Sequence, residues 1–232
     1  MSIGLITFDL DDTLWSVKPV IIAADDALRA WLLAHAARLE ALTPERLQQL
    51  RGEVVEQQPE LDRRVSELRY QVLLRALLQS GYARREAQEI AEHAFQVFLA
   101  ARQNVELFAD VLPTLEYLRS RYMLGALSNG NADIRRVGLG EYFSFALNAD
   151  MLGVAKPEPQ VFLAALARAQ VEPTRSIHIG DHPQDDIFGA QQVGMRTIWF
   201  NPDHKDWSGE HEPDAQISQI SQLPDLLKRI DE

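Results

Sequence analysis

The chain has no cysteine. That excludes disulfides and thiolate-ligated metal sites. It also lacks any apolar run long enough to span a bilayer. Its first residues, MSIGLITF, carry no basic stretch ahead of an apolar one. The reading is no signal peptide, no transmembrane span and a cytoplasmic protein. Positive charge is scarce: 23 basic side chains stand against 34 acidic ones, a formal net charge of −11. Such a surface repels phosphate backbones and anionic lipid, so no nucleic-acid and no membrane partner is expected. One small phosphorylated ligand stays possible, because a local site can override the net field.

What is present suits a folded α/β protein. The 232 residues are 46% hydrophobic and 25% charged, enough for one large domain or two smaller ones. Ile3 to Phe8 is a short apolar run with β-branched members and reads as a buried strand. From about Pro19 to Arg102 the spacing turns helical. Leu28, Trp31, Leu32, His35 and Leu39 share one face; so do Val65, Leu68, Val72 and Ala76, and later Ala87, Ile90, Ala91, Ala94, Phe95 and Phe98. Breaks at Thr43-Pro44, Pro59 and Ser80-Gly81 divide this block into about four helices, with Thr43 as a cap. After residue 108 strands and helices alternate. Strands are expected at Tyr122–Leu127, Phe145–Leu147, Ser176–Ile179 and Thr197–Phe200. Helices are expected at Leu112–Arg121, Glu158–Gln170 and near Ile187–Val193. Alternation of this kind argues for a parallel sheet covered by helices. The expected architecture is a Rossmann-like core of residues 1–14 and 108–232, with an all-helical domain at 15–107. Residues 201–213 read as a polar surface loop.

Ligands of open α/β sheets bind at the carboxyl ends of the strands. Four polar groups fall there. Asp9 and Asp11 follow the first strand, and Ser128 and Asn129 follow the second. Lys156 lies in the loop VAKPEP. Asp181 follows SIHIG, with Asp185 and Asp186 close behind. Packed carboxylates repel each other and are costly to bury. A shared hard divalent cation, Mg²⁺ above all, offsets both penalties.

This set resembles the haloacid dehalogenase superfamily, whose members are mostly phosphatases. DLDDT is similar to that family's DxDxT, LSN to its second motif, KP to its third and GDHPQDD to its GDxxxxD. The resemblance implies a nucleophile at Asp9 and a general acid/base at Asp11. It implies phosphoryl binding by Ser128 and Lys156, and Mg²⁺ held by Asp9, the backbone carbonyl of Asp11, Asp181 and Asp186. The helical block looks like the family's cap, expected to close over the site. An acid at Asp11 favours a phosphatase, because halide leaves without a proton. FDLDDTLW, SNGNADI, GLGEYFSF and HIGDHPQDDIFGA resemble bacterial phosphatases acting on FMN and on a phosphorylated riboflavin precursor. The implied activity is Mg²⁺-dependent hydrolysis of small phosphorylated metabolites, such as these or sugar phosphates, by a monomer or weak homodimer. Alternatives are a phosphomutase or phosphotransferase of the same fold, and a non-catalytic phosphate-binding protein.

Blander readings stand beside several residues. Asp12 reads as a solvated loop residue, and Thr13 as a turn cap or a phosphate support. Asp185 and Asp186 also suit a helix N-terminus. His178, inside a strand, and His35, on an apolar helix face, read as satisfied core histidines. His182 sits at the pocket rim. Asn129, a candidate substrate ligand, reads better as a brace for the Asp9 loop. Arg69 flanks an apolar helical stripe: it either snorkels to water or binds an anionic part of the substrate. Trp15 is a candidate for stacking on a flat ring.

Overall fold

The computed structural model describes residues 2–39 and 43–231. The chain divides into two compact units, Met1–Ser16 with Val105–Glu232, and Val17–Asn104.

The first unit is built on a six-stranded, all-parallel sheet. Its strands are β1 (Leu5–Phe8), β2 (Met123–Ser128), β3 (Phe145–Asn148), β4 (Ser176–Gly180), β5 (Arg196–Phe200) and β6 (Ala215–Ile217), in the order β3-β2-β1-β4-β5-β6. Every residue of β1 is buried, as its unbroken apolar run requires of a central parallel strand. The order reverses at β1, which pairs with β2 on one side and β4 on the other. Connections leave this point in opposite directions, which opens a crevice at the carboxyl end of β1. The α-helices of this unit begin with α5, numbered in chain order after those of the second unit: α5 (Val111–Arg119), α6 (Ala149–Leu152), α7 (Pro159–Ala169), α8 (Gly189–Gln191) and α9 (Leu223–Asp231). α5 packs on β2 and α9, and α7 on β2 and α8. Phe162, Val161, Ala165 and Leu166 of α7 share a core cluster with Leu5 and Leu127.

The second unit is helical: α1 (Val17–His35), α2 (Pro44–Gln57), α3 (Val65–Gln79) and α4 (Arg84–Ala101). Thr43 accepts from Arg46 N and Pro44 opens α2, so the Thr-Pro break acts as a cap and first turn. Leu28, Leu32, Ala91, Ala94, Phe95 and Phe98 join one buried cluster, and Leu68, Val72 and Ala76 another. The apolar stripes are packing surfaces. His35 departs from its expected burial. It is exposed in the last turn of α1, stacked on Trp31 at 4.3 Å and donating Nδ1–H to Trp31 O. A ring stacked on Trp31 with its Nδ1–H satisfied by Trp31 O needs no core around it.

The strands fall within two residues of expectation, while the last part of the chain adds β6 and α9. The helix expected near Ile187 begins earlier, as a π-turn at Pro183–Phe188 that leads into α8. Among the described residues no helix is long and apolar enough to cross a membrane.

Candidate active site

Asp9 follows the last residue of β1 and donates its N–H to Ile179 O at 2.8 Å. The chain then turns sharply. Leu14 N–H reaches Leu10 O and Asp12 N–H reaches Trp15 O, each at 2.8 Å. Asp12 takes a left-handed conformation, φ 58°, which aspartate tolerates better than most residues. This turn buries Asp9 and leaves Asp11 half-buried. Asp11 Oδ1 accepts the Trp15 indole N–H at 2.9 Å. Thr13, fully buried, places its hydroxyl 3.4 Å from both Asp9 Oδ2 and Asp181 Oδ1.

Lys156 is 2% exposed. Its Nζ lies 2.5 Å from Asp9 Oδ1, 2.6 Å from Asp186 Oδ1 and 3.0 Å from Leu127 O. Asn129 fixes the Lys156 backbone from both sides: its Nδ2 donates to Lys156 O at 3.0 Å and its Oδ1 accepts from Lys156 N at 2.7 Å. Asp186 reaches back from the π-turn against Gly180, where a Cβ would lie 2.2 Å from the Asp186 Cγ. Only glycine leaves room there. Asp186 also accepts from His178 Nε2 and from His182 N, each at 3.0 Å.

Among the described residues the Lys156 ammonium bonds Asp9 and Asp186, and Asp181 completes a set of three carboxylates whose ligand atoms all lie within 4.8 Å of one another. Burial pushes the Asp9 carboxyl well up; Lys156 opposes this, while Asp186 and Asp181 add to it. Asp181 is raised to about 7, by burial first and then by repulsion from Asp186 and Asp12. Asp186 is held below the usual carboxylate range. Burial would raise it, but the Lys156 charge and the bonds from His178 and Lys156 outweigh that. Asp186 and Asp9 overcome the burial penalty on Lys156 and raise it. His178 is lowered, chiefly by burial. Asp9 and Asp181 are thus the two carboxyls that burial and mutual repulsion disfavour as anions. An all-oxygen set of this kind fits a hard divalent cation such as Mg²⁺, with Asp9, Asp181 and Asp186 as candidate holders.

Residues 3–194 match the family model described as haloacid dehalogenase-like hydrolase. The chain belongs to that family. The 5-amino-6-(5-phospho-D-ribitylamino)uracil phosphatase YigB of Escherichia coli is 31% identical over 229 residues, 97% of this chain and 96% of that protein. A phosphoserine phosphatase of Thermus thermophilus is 30% identical over 161 residues, 67% of this chain and 63% of that protein. The crystal structure titled 2-haloacid dehalogenase from Pseudomonas syringae pv. Tomato superposes with a TM-score of 0.95 at 49% identity, over 98% of this chain and 99% of that one.

In this member of the haloacid dehalogenase-like hydrolases, Asp9, Lys156, Asp181 and Asp186 lie close together. Ser128 ends β2, buried, its hydroxyl accepting from Gly130 N at 2.9 Å. Asn129 is a brace, but of the Lys156 loop rather than the Asp9 loop. Trp15 is fully buried and bonded to Asp11, so it is not presented to a flat ring. Half-exposed His182 accepts from Asp185 N at 3.0 Å and caps the π-turn. Arg69 lies in the helical unit, 2.6 Å from Asp25 and 3.7 Å above the Phe98 ring, rather than snorkelling to water. Burial lowers its pKa and Asp25 partly restores it. His178 is the satisfied core histidine expected, bonded to Thr7 and Asp186; Thr7 and Trp199, whose indole donates to Asp181 O at 2.8 Å, escape the sequence reading. For Thr7 the available signal was polarity inside an apolar strand, since Thr7 and His178 are partners in register.

Proposed function

We propose that this protein is a Mg²⁺-dependent phosphatase acting on small phosphomonoesters through an aspartyl-phosphate on Asp9. One observation carries the reading: a buried carboxylate just after β1 held 2.5 Å from a buried lysine, inside a close set of three carboxylates. When bound by Asp9, Asp181 and Asp186, the cation would neutralise these acids and draw charge from the phosphoryl oxygens. Lys156 holds one Asp9 oxygen, leaving the other to attack phosphorus. The phosphorus–oxygen ester bond breaks as the new bond forms, and Asp11 gives a proton to the departing alkoxide. Asp11 then takes a proton from water as that water attacks the phosphoenzyme, releasing phosphate and restoring Asp9. Trp15 keeps Asp11 oriented for both transfers. Ser128 binds phosphoryl oxygens; Asn129 acts by fixing Lys156. Arg69 of the helical unit is a candidate for an anionic or polar part of the substrate.

The relation to YigB supports a ribityl phosphate as the substrate class, with FMN and sugar phosphates as further candidates. The test is phosphate release from such a panel. Activity is expected to vanish in chelator and return with Mg²⁺, with Ca²⁺ a poor substitute because it tolerates looser coordination than octahedral Mg²⁺. Full activity in excess chelator would refute the metal's role.

The 49% identity to a structure titled a dehalogenase supports a second reading, hydrolysis of 2-haloacids. Halide leaves without a proton, so Asp11 would have no acid to supply. Halide release from a 2-haloacid, measured beside phosphate release, separates the two.

A further inference from the structure

Thr7 on β1 and His178 on β4 are fully buried, polar and opposite each other in register. The reaction above uses neither. His178 Nδ1 lies 2.8 Å from Thr7 Oγ1, and Nε2 lies 3.0 Å from Asp186 Oδ1. The Phe162 ring meets the imidazole edge-on at 5.2 Å. An ionised carboxylate only accepts, so the Nε2 facing Asp186 must carry a proton. In the neutral ring Nδ1 is then bare, and the Thr7 hydroxyl donates to it. The other acceptor beside that hydroxyl, Ile177 O, is farther away at 3.3 Å. Asp186 thereby receives three donors from three parts of the chain. His178 and Lys156 meet its Oδ1, and His182 N–H meets its Oδ2.

We propose that His178 is a positioning residue: its Nε2–H fixes the Asp186 carboxylate, and through it aims the Lys156 ammonium at Asp9. This deepens the phosphatase reading and rests on it. Without the imidazole donor, the donors left on Asp186 among the described residues are Lys156 and the His182 amide. Its carboxylate can then rotate, and Lys156 follows. A buried, fully satisfied relay of this kind removes that freedom. Outer partners that orient charged groups typically carry about 10- to 100-fold in activity.

The test compares His178→Gln, His178→Leu and Thr7→Val with the wild type. Glutamine can return an N–H close to the position of Nε2; leucine fills space and donates nothing. Kinetics are read on p-nitrophenyl phosphate, folding by thermal melting, and ring protonation by ¹⁵N NMR of histidine-labelled, substrate-free protein. The His178 signal is identified by its loss in His178→Gln. The expected spectrum has a protonated Nε2 and a bare Nδ1. His178→Leu should lower kcat about 10- to 100-fold with KM little changed, and His178→Gln should recover most of it. A bare Nε2, an unchanged kcat in His178→Leu, or equal losses in the two variants would overturn the proposal. If His178→Leu does not fold, the near-isosteric Thr7→Val takes its place. A fall in kcat at constant KM is then expected, and an unchanged kcat overturns the idea. A wild type that hydrolyses no phosphomonoester removes the phosphatase reading, while the ring spectrum still decides the hydrogen bond.

Discussion

The Lys156 ammonium sits 2.5 Å from Asp9 Oδ1, and both side chains are nearly sealed from solvent. Neither is stable alone in such a place. An uncompensated buried charge costs several kcal/mol, whereas a paired and hydrogen-bonded one is tolerated. The pair therefore serves folding and chemistry at once, and its removal should damage both.

Lys156→Met tests this directly. Methionine keeps much of the length and loses the charge, leaving Asp9 and Asp186 buried without their shared partner. The expected loss is about 3–5 kcal/mol in denaturant unfolding, together with a fall of about 10²–10³ in kcat. Lys156→Arg should not rescue activity, because a planar fork does not fit where a point charge meets three acceptors. Wild-type stability in Lys156→Met would show that the pair adds nothing to the fold.

The acidic set predicts an unusual pH response of the metal-free protein. Asp181 is raised to about 7, and Asp9 is raised too. A carboxyl with a raised folded pKa keeps a proton that the unfolded chain has lost, so stability falls as pH rises from about 4 to 7. Asp186 acts in the opposite sense, adding stability above the ordinary carboxylate range that disappears only in acid. Water reaches half-buried Asp181, so the net loss should be on the order of 1–2 kcal/mol. Melting scans in chelator should therefore show a lower Tm near pH 8 than near pH 5, with Mg²⁺ raising Tm more at the higher pH. A Tm that rose with pH without metal would contradict this assignment of charge.

The reach of the sequence follows from what each signal depends on. The strand-end acids are legible because an apolar run that stops in carboxylates is improbable without a site. The parallel core is legible because alternation of strands and helices admits few topologies. β6 is not, since three residues at a sheet edge carry too little periodicity. α9 is a different case: it follows β6 after one short turn, and its buried Leu223 and Leu227 stand at helical spacing, a signal that the sequence offers and the expected elements leave unused. His178 reads as packing until the register places Thr7 beside it and the π-turn brings Asp186 back over Gly180. The Arg69–Asp25 pair needs the packing within the helical unit, which spacing along one helix does not reveal.

Arg69 bears on substrate choice. Its pairing with Asp25 and its place over Phe98 give Arg69→Ala a structural cost, expected at about 1–2 kcal/mol in thermal unfolding. If the guanidinium also binds an anionic part of the substrate, KM for the best metabolite should rise far more than KM for a minimal aryl phosphate. Arg69→Lys should recover stability better than KM, because a point charge does not replace bidentate contacts. Equal KM changes for both substrates would confine Arg69 to holding the helical unit together.

The division of labour between Asp9 and Asp11 is open to a sharper measurement. Asp9→Asn removes the nucleophile, so no phosphoenzyme should form from any substrate. Asp11→Asn removes a proton donor. An alkoxide leaving from a ribityl or sugar phosphate needs that proton, whereas a nitrophenolate is stable enough to leave without it. Asp11 also assists water in the second step, so steady-state rates can hide the contrast. Single-turnover formation of the phosphoenzyme isolates the first step. There Asp11→Asn should slow the alkyl phosphate by about 10²–10⁴ and the nitrophenyl phosphate far less. Trp15→Phe, which deletes the indole donor 2.9 Å from Asp11 Oδ1, should show a weaker version of the same contrast, because it loosens the acid without removing it. Equal slowing of both substrates in Asp11→Asn would take the proton-transfer role away from Asp11, and a phosphoenzyme in Asp9→Asn would move the nucleophile elsewhere.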